Sequence, residues 1–196
     1  LRHIQKWNES LIKYYKFHLA DVSVSEKENV FTLVCNGKFE AETFYKGFSC
    51  SIIYEIYSDG VIHVSVKAEP FGDLPSALPR FGFCIPMPKS FDNVTWYGRG
   101  KRESYSDSIA NAPMGLYCAK IEDTYTIFDV PQESGNHENT QFVTLDNGTQ
   151  NFSVSSQGNM SFSYHDFSLE TLEKARHRNE LVKDENNNYL DIDYKM

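Results

Sequence analysis

The sequence is short of several things, and each shortage removes a class of function. No apolar run approaches the roughly 18 residues of a membrane-spanning helix, and no basic head with an apolar core opens the chain as a signal peptide would. Positive charge is scarce: 19 Lys and Arg face 27 Asp and Glu, a formal net charge of -8. Phosphate binding needs a positive field that this chain supplies only locally, so nucleic acid is not the expected partner and a neutral ligand fits better. Cysteine is sparse and widely spaced at Cys35, Cys50, Cys84 and Cys118, with neither a Cys-x-x-Cys pair nor a zinc-type histidine pattern. A chain of 196 residues can bury its core without staples, so these are expected to be buried free thiols. HExxH and GxSxG are absent, and the glycines of GRGKRE lack the third glycine and following helix of a dinucleotide site.

What the chain has is strand pattern. SIIYEIY, SDG and VIHVSVKAE read as a hairpin, with Ile62, Val64, Val66 and Ala68 alternating with Val61, His63, Ser65 and Lys67. A second hairpin is expected at Asn36-Gly37, between FTLVC and KFEAETF, and a third at Asp146-Asn147-Gly148, because these turn residues tolerate positive φ. MSFSY reads as a further strand with Met160, Phe162 and Tyr164 on one side. Helical spacing is confined to Leu1, Ile4, Trp7 and Leu11, and to SLETLEKARH. In the latter Ser168 is placed to cap, Glu170 lies in the first turn, and Lys174, Arg176 and His177 lie near the end. The proline-spaced run PFGDLPSALPRFGFCIPMPKSF suits an irregular connection entering an edge strand. The expected class is therefore all-β and antiparallel, of sandwich type, with one or two short helices, formed by residues 1–196 as a single domain.

Chemistry is less legible. Glu103, Asp107, Glu122, Asp123 and Glu133 offer carboxylates, but glycoside hydrolysis needs two of them at a fixed separation across a pocket, which spacing alone does not supply. Lys101 and Arg102, beside Glu103 and Asp107, read as a self-paired surface turn. The residues alone yield no complete catalytic set. Aromatics at 14%, including 12 tyrosines, suit a surface that stacks on and hydrogen-bonds to sugars.

The order of motifs is more specific than any one of them. Trp96-Tyr97-Gly98-Arg99-Gly100 is followed by Glu103-Ser104-Tyr105-Ser106-Asp107, Gly115-Leu116-Tyr117 and Pro131-Gln132-Glu133-Ser134-Gly135-Asn136. After these come His177 to Leu181 and Tyr189-Leu190-Asp191-Ile192-Asp193. This series resembles the C-terminal small-chain domain (domain 5) of bacterial β-galactosidases of glycoside hydrolase family 2, whose pattern runs WxGxGPxExYxDR, GxY, PQENGN, HxxEL and an aromatic before LNID. The resemblance implies a supersandwich of the galactose mutarotase type. It implies a bacterial parent enzyme, cytoplasmic or periplasmic, whose nucleophile and acid/base glutamates lie in a separate catalytic barrel, on the same polypeptide or a partner subunit. It also implies a galactoside substrate. Trimmed ends are expected to leave sheet edges or apolar patches exposed, which favours a homo-oligomer, and no membrane partner is expected. Magnesium and sodium are common in that family and would belong to the parent, with no cofactor or metal in this chain.

The resemblance assigns no catalytic residue here. Tyr189 stands where the family has the aromatic, usually tryptophan, that lines the mouth of the galactoside pocket. Glu103, Tyr105, Gln132 and Glu133 are expected to brace loops near that site, with Gly98 and Gly100 bending the backbone sharply. Departures occur at Lys101 for the family proline, Ser108 for an arginine and Gln141 near another arginine. The family's upstream loop rich in Asp and Asn and its later strands are missing, which resembles a domain trimmed at both ends. Two other readings stay open: a stand-alone carbohydrate-binding module and a mutarotase-like sugar epimerase.

Overall fold

A computed structural model describes residues 4–42 and 45–195, so Leu1 and Phe44, each part of an expected element, lie outside the described residues. By contact density the chain divides into two compact units, residues 1–78 and 79–196.

In the first unit, helix α1 (Ile4–Ser10) precedes four strands: β1 (Lys16–Lys27), β2 (Val30–Glu40), β3 (Gly47–Tyr57) and β4 (Ile62–Phe71). They form an antiparallel meander in the order β1-β2-β3-β4. The hairpin about Ser58-Asp59-Gly60 forms as expected. The one expected at Asn36-Gly37 does not. Those residues lie inside β2, and the chain reverses at Glu28 and Asn29, whose φ values of 52° and 64° suit a type I′ turn. Register explains the choice. Reversal at Asn36-Gly37 would set Cys35 opposite Lys38 and Leu33 opposite Glu40. Reversal at Glu28-Asn29 instead pairs Val24 with Leu33, Val22 with Cys35 and Phe17 with Phe39. Gly37 serves to make room, since a Cβ there would fall 2.4 Å from the His18 carbonyl oxygen.

That register sorts the sheet into two unlike faces. One carries Leu19, Val22 and Val24, Phe31, Leu33 and Phe39, Ile52 and Ile56, and Ile62, Val64 and Val66. The other carries Ser23, Ser25, Thr32, Lys38, Ser51, Glu55, His63 and Lys67. Much of the apolar face is open: Leu19, Val24 and Ile62 are each more than half exposed. Cys35 and Cys50 lie on it half-buried, while Cys84 and Cys118 are exposed. All four thiols are free, but the expectation of burial fails, because two follow an uncovered face and two lie on strands at sheet edges.

The second unit contains β5 (Phe81–Pro88), β6 (Asn93–Arg99), β7 (Met114–Lys120), β8 (His137–Asp146), β9 (Asn151–His165), helix α2 (Leu169–Lys174) and β10 (Asn187–Lys195). The strands make an antiparallel sheet in the order β5-β10-β9-β8-β6-β7. The proline-spaced run leads into edge strand β5, where Pro86 and Pro88 remove no central ladder bond. The turn at Asp146-Asn147-Gly148 joins β8 to β9, with the Asn147 side chain accepting the main-chain N–H groups of Thr149 and Gln150. MSFSY is the second half of β9 rather than a separate strand. In α2 the Ser168 hydroxyl accepts the Thr171 N–H at 3.1 Å, and the helix ends at Lys174, leaving Arg176 and His177 beyond it. Every paired strand among the described residues is antiparallel and both helices are short, in agreement with the all-β class.

The core of this unit lies on the face presenting Val94, Trp96, Val143, Leu145, Phe162, Tyr164 and Leu190, all at most 1% exposed, with Ile121, Tyr125 and Phe167 packed against them from connections. Gly98 and Gly100 serve this packing. Neither has positive φ, and the Gly100–Lys101 peptide bond is cis. A Cβ on Gly98 would meet the Thr140 hydroxyl at 2.5 Å, and one on Gly100 the rings of Tyr117 and Trp96 at about 3 Å. Close approach rather than a bend accounts for Gly98, which lies inside β6.

Candidate functional site

Strand β10 runs between β5 and β9, and alternation along it sends Leu190 and Ile192 to the core and Tyr189, Asp191 and Asp193 to the opposite face. Two of these are buried carboxylates, at 3% exposure for Asp191 and 2% for Asp193. Both need compensation, which Arg80 provides by direct bonds to Asp193 and through its charge alone to Asp191. Its Nε and Nη2 donate to Asp193 Oδ2 at 3.1 and 2.5 Å, and Nη2 lies 3.8 Å from Glu133 Oε1. Three carboxylates therefore share one guanidinium. Burial pushes Glu133 and Asp191 above the usual carboxylate range, with Arg80 pulling back on each.

The loops beside this row are zipped together by hydrogen bonds. Glu103 Oε2 accepts the Gly135 N–H at 2.7 Å, the Ser104 N–H donates to the Asn136 carbonyl at 2.7 Å, and the Asn136 amide returns a bond to the Ser104 carbonyl. Ser104 Oγ also accepts the Glu138 N–H. Glu103 turns inward, so Lys101 and Arg102 are exposed without an ion pair among the described residues, and the expected self-paired turn does not form. The main chain of Tyr105 is tied within the loop, its N–H donating to Ser108 Oγ at 3.2 Å and its carbonyl accepting the Ser108 N–H at 2.9 Å. The buried Tyr105 hydroxyl points toward the Asn136 main chain without a well-formed hydrogen bond, and burial raises its pKa. Gln132 is exposed and joins none of these bonds. The structure thus brings Glu133 and Tyr105 close to Arg80, Glu103 to the neighbouring loop, and Tyr189 to the same face of β10 as the carboxylates.

Tyr189 lies opposite Pro86 on one side and His165 on the other, half-buried. Its hydroxyl donates to Asp184 Oδ2 at 2.6 Å, which raises the phenol and lowers Asp184. Arg80, Ser104, Asn136 and Asp184 are the residues sequence reasoning missed. Only the position of Ser104 and Asn136 inside quoted motifs offered a signal. Neither His137 nor His165 is placed for acid–base work. His137 donates from Nδ1 to the Arg99 carbonyl and stacks on Phe162, His165 donates from Nε2 to the Ser134 carbonyl, and burial lowers both to a pKa of about 4.

Chemically, this is a braced carboxylate–guanidinium cluster with a half-exposed aromatic at its end. Among the described residues no group of three or more His, Cys, Asp or Glu side chains is arranged to hold a metal ion, and the carboxylates that do converge are centred on Arg80. No helix of the described residues is long and apolar enough to cross a membrane.

Comparison with known proteins yields related enzymes. A β-galactosidase of Staphylococcus xylosus is 28% identical over 188 residues, covering 96% of this chain and 19% of that protein. One from Actinobacillus pleuropneumoniae is 33% identical over 145 residues, covering 74% of this chain and 14% of the relative. One from Oenococcus oeni is 28% identical over 193 residues, covering 98% of this chain and 18% of the relative. The chain thus spans less than a fifth of the length of these relatives. A family model described as beta galactosidase small chain matches residues 2–196, a span that takes in the zipped loops, the Arg80 cluster and the Tyr189 strand. The chain therefore belongs to the beta galactosidase small chain family.

Proposed function

We propose that this chain is the non-catalytic, C-terminal part of a retaining β-galactosidase, acting on terminal non-reducing β-D-galactose residues, and that it completes the mouth of an active site whose catalytic glutamates lie in a separate barrel. The observation that carries this reading is Tyr189. It is an aromatic half-exposed on a strand whose neighbouring side chains are locked by Arg80, so the ring is presented from a rigid support. The chain alone then catalyses no hydrolysis, since acid and nucleophile must reach one glycosidic bond. Any magnesium or sodium of the parent is held outside this chain.

The test is steady-state kinetics of Tyr189→Ala in the full-length enzyme. Removing the ring is expected to weaken galactoside binding about tenfold, roughly 1–2 kcal/mol, mainly in KM, because a stacking wall serves ground and transition states nearly alike. Tyr189→Trp is expected to tighten binding or shift leaving-group preference. Unchanged KM in both variants would make the residue structural. The epimerase alternative is disfavoured by the burial and low pKa of His137 and His165, which withhold both from proton transfer at neutral pH.

The open apolar face of the first unit also supports homo-oligomerisation. The purified chain is expected to sediment as a concentration-dependent oligomer, and a double Val22→Lys, Val64→Lys variant as a monomer. A monomer already present in the unsubstituted chain at high concentration would refute this.

A further inference from the structure

We propose that Asp184 is a positioning residue for Tyr189, fixing the ring through its hydroxyl; this rests on the reading of Tyr189 as a wall of the galactoside pocket. The geometry is a two-sided clamp. Asp184 Oδ1 accepts the main-chain N–H groups of Asn186 and Asn187 at 2.8 and 2.9 Å, which sets the carboxylate plane. Its other oxygen is thereby aimed at the Tyr189 hydroxyl at 2.6 Å. The Asp184 N–H in turn donates to the Asp166 carbonyl at 2.7 Å. The Asp166 side chain is held at both oxygens, by the Tyr125 hydroxyl at 2.8 Å and Lys183 Nζ at 2.6 Å. The tether therefore runs from the ring to a residue that is 4% exposed.

The consequence for ligand contact is specific. A phenol that donates to a carboxylate has no proton left to give, so Tyr189 offers a ligand its ring face and an acceptor lone pair only. The ring is also held against rotation about its Cα–Cβ bond, which lowers the entropy lost on stacking. Lys89 reinforces the charged form of Asp184 by proximity; its own Nζ is buried without a hydrogen-bond partner among the described residues.

The experiment is a double-mutant cycle in the full-length enzyme with a nitrophenyl β-galactoside, measuring KM and kcat separately, with thermal stability in parallel. Tyr189→Phe and Asp184→Ala are each expected to raise KM roughly three- to tenfold with kcat little changed, no more than the loss expected on removing the whole ring, because the tether only positions it. The double variant should be no worse than the poorer single one, and Asp184→Asn, which can still accept from the phenol, should retain most of the binding. Additive effects, or Tyr189→Phe and Asp184→Ala both leaving KM unchanged while Tyr189→Ala raises it, would overturn the tether and leave the wall intact. Unchanged KM in Tyr189→Ala would overturn both. If Asp184→Ala fails to fold, Tyr189→Phe decides alone, since it leaves the main-chain bonds of Asp184 in place.

Discussion

An Arg80→Met variant is expected to be about 3–5 kcal/mol less stable than the natural chain at neutral pH. The Arg80 side chain is 21% exposed and the side chain of its partner Asp193 only 4%, so removing the guanidinium strands Asp193 in a site that water barely reaches. Asp191 lies one alternation away with an oxygen that already lacks a partner, and Glu133 stands 3.8 Å from the same guanidinium. The loss would come mostly from uncompensated buried charge rather than from the pair itself, which double substitution can separate. Arg80→Met with Asp193→Asn should recover much of the stability, because a neutral amide avoids the desolvation of an ion. The deficit should also shrink as pH falls, since the orphaned carboxylates can then take up protons. Denaturant midpoints at pH 7 and pH 5 measure all of this. A loss below about 1 kcal/mol, or no recovery in the double variant, would show that water reaches Asp193 and screens it.

Acid should unfold the second unit through two histidines. An imidazole whose pKa falls on folding is held neutral by the fold, so its contribution is fully present above the unfolded value of 6.5 and lost as pH drops toward the folded value of about 4. A displacement from 6.5 to about 4 corresponds to roughly 3 kcal/mol for each of His137 and His165. Glu133 and Asp191 act in the opposite sense, since their raised values mean that protonation relieves them as pH falls. The histidine displacement is the larger, so the net expectation is a steep loss of stability between pH 6.5 and 4. Trp96 reports it directly: its ring lies 4.5 Å from His137, and it is the only tryptophan of residues 79–196. His137→Asn and His165→Gln each keep a donor near the original nitrogen. They should lower stability at pH 7 yet flatten its pH dependence. An equally steep slope in the double variant would assign acid unfolding to other groups.

Legibility differed between the two units. In the first, alternation of Ile62, Val64 and Val66 announced a hairpin correctly, yet Asn36-Gly37 drew attention from the weaker Glu28-Asn29 pair. Turn propensity is worth little against a register that aligns four strands of apolar residues, and register is a property of pairs that a single strand does not display. In the second, Asp146-Asn147-Gly148 and the Ser168 cap were legible because turn and cap are each made by residues within four positions of one another. Of the site, Glu103 and Tyr189 were reached through motifs, while their partners Gly135 and Asp184 carry no separate chemical mark.

By itself the sequence determined the all-β class, the hairpins at Ser58-Asp59-Gly60 and Asp146-Asn147-Gly148, the short helix behind Ser168 and, through the order of its motifs, the family. These rest on local alternation, on turn chemistry and on residue identity at fixed spacing. Only the tertiary structure decided that Arg80 meets Asp193 across 113 positions, that Ser104 and Asn136 bond each other across the loops, and that Asp184 takes the hydroxyl of Tyr189. The physical reason is that burial creates the need for a partner. An aspartate on an isolated strand is solvated and indifferent, and becomes a constraint on the rest of the chain only when folding takes its water away.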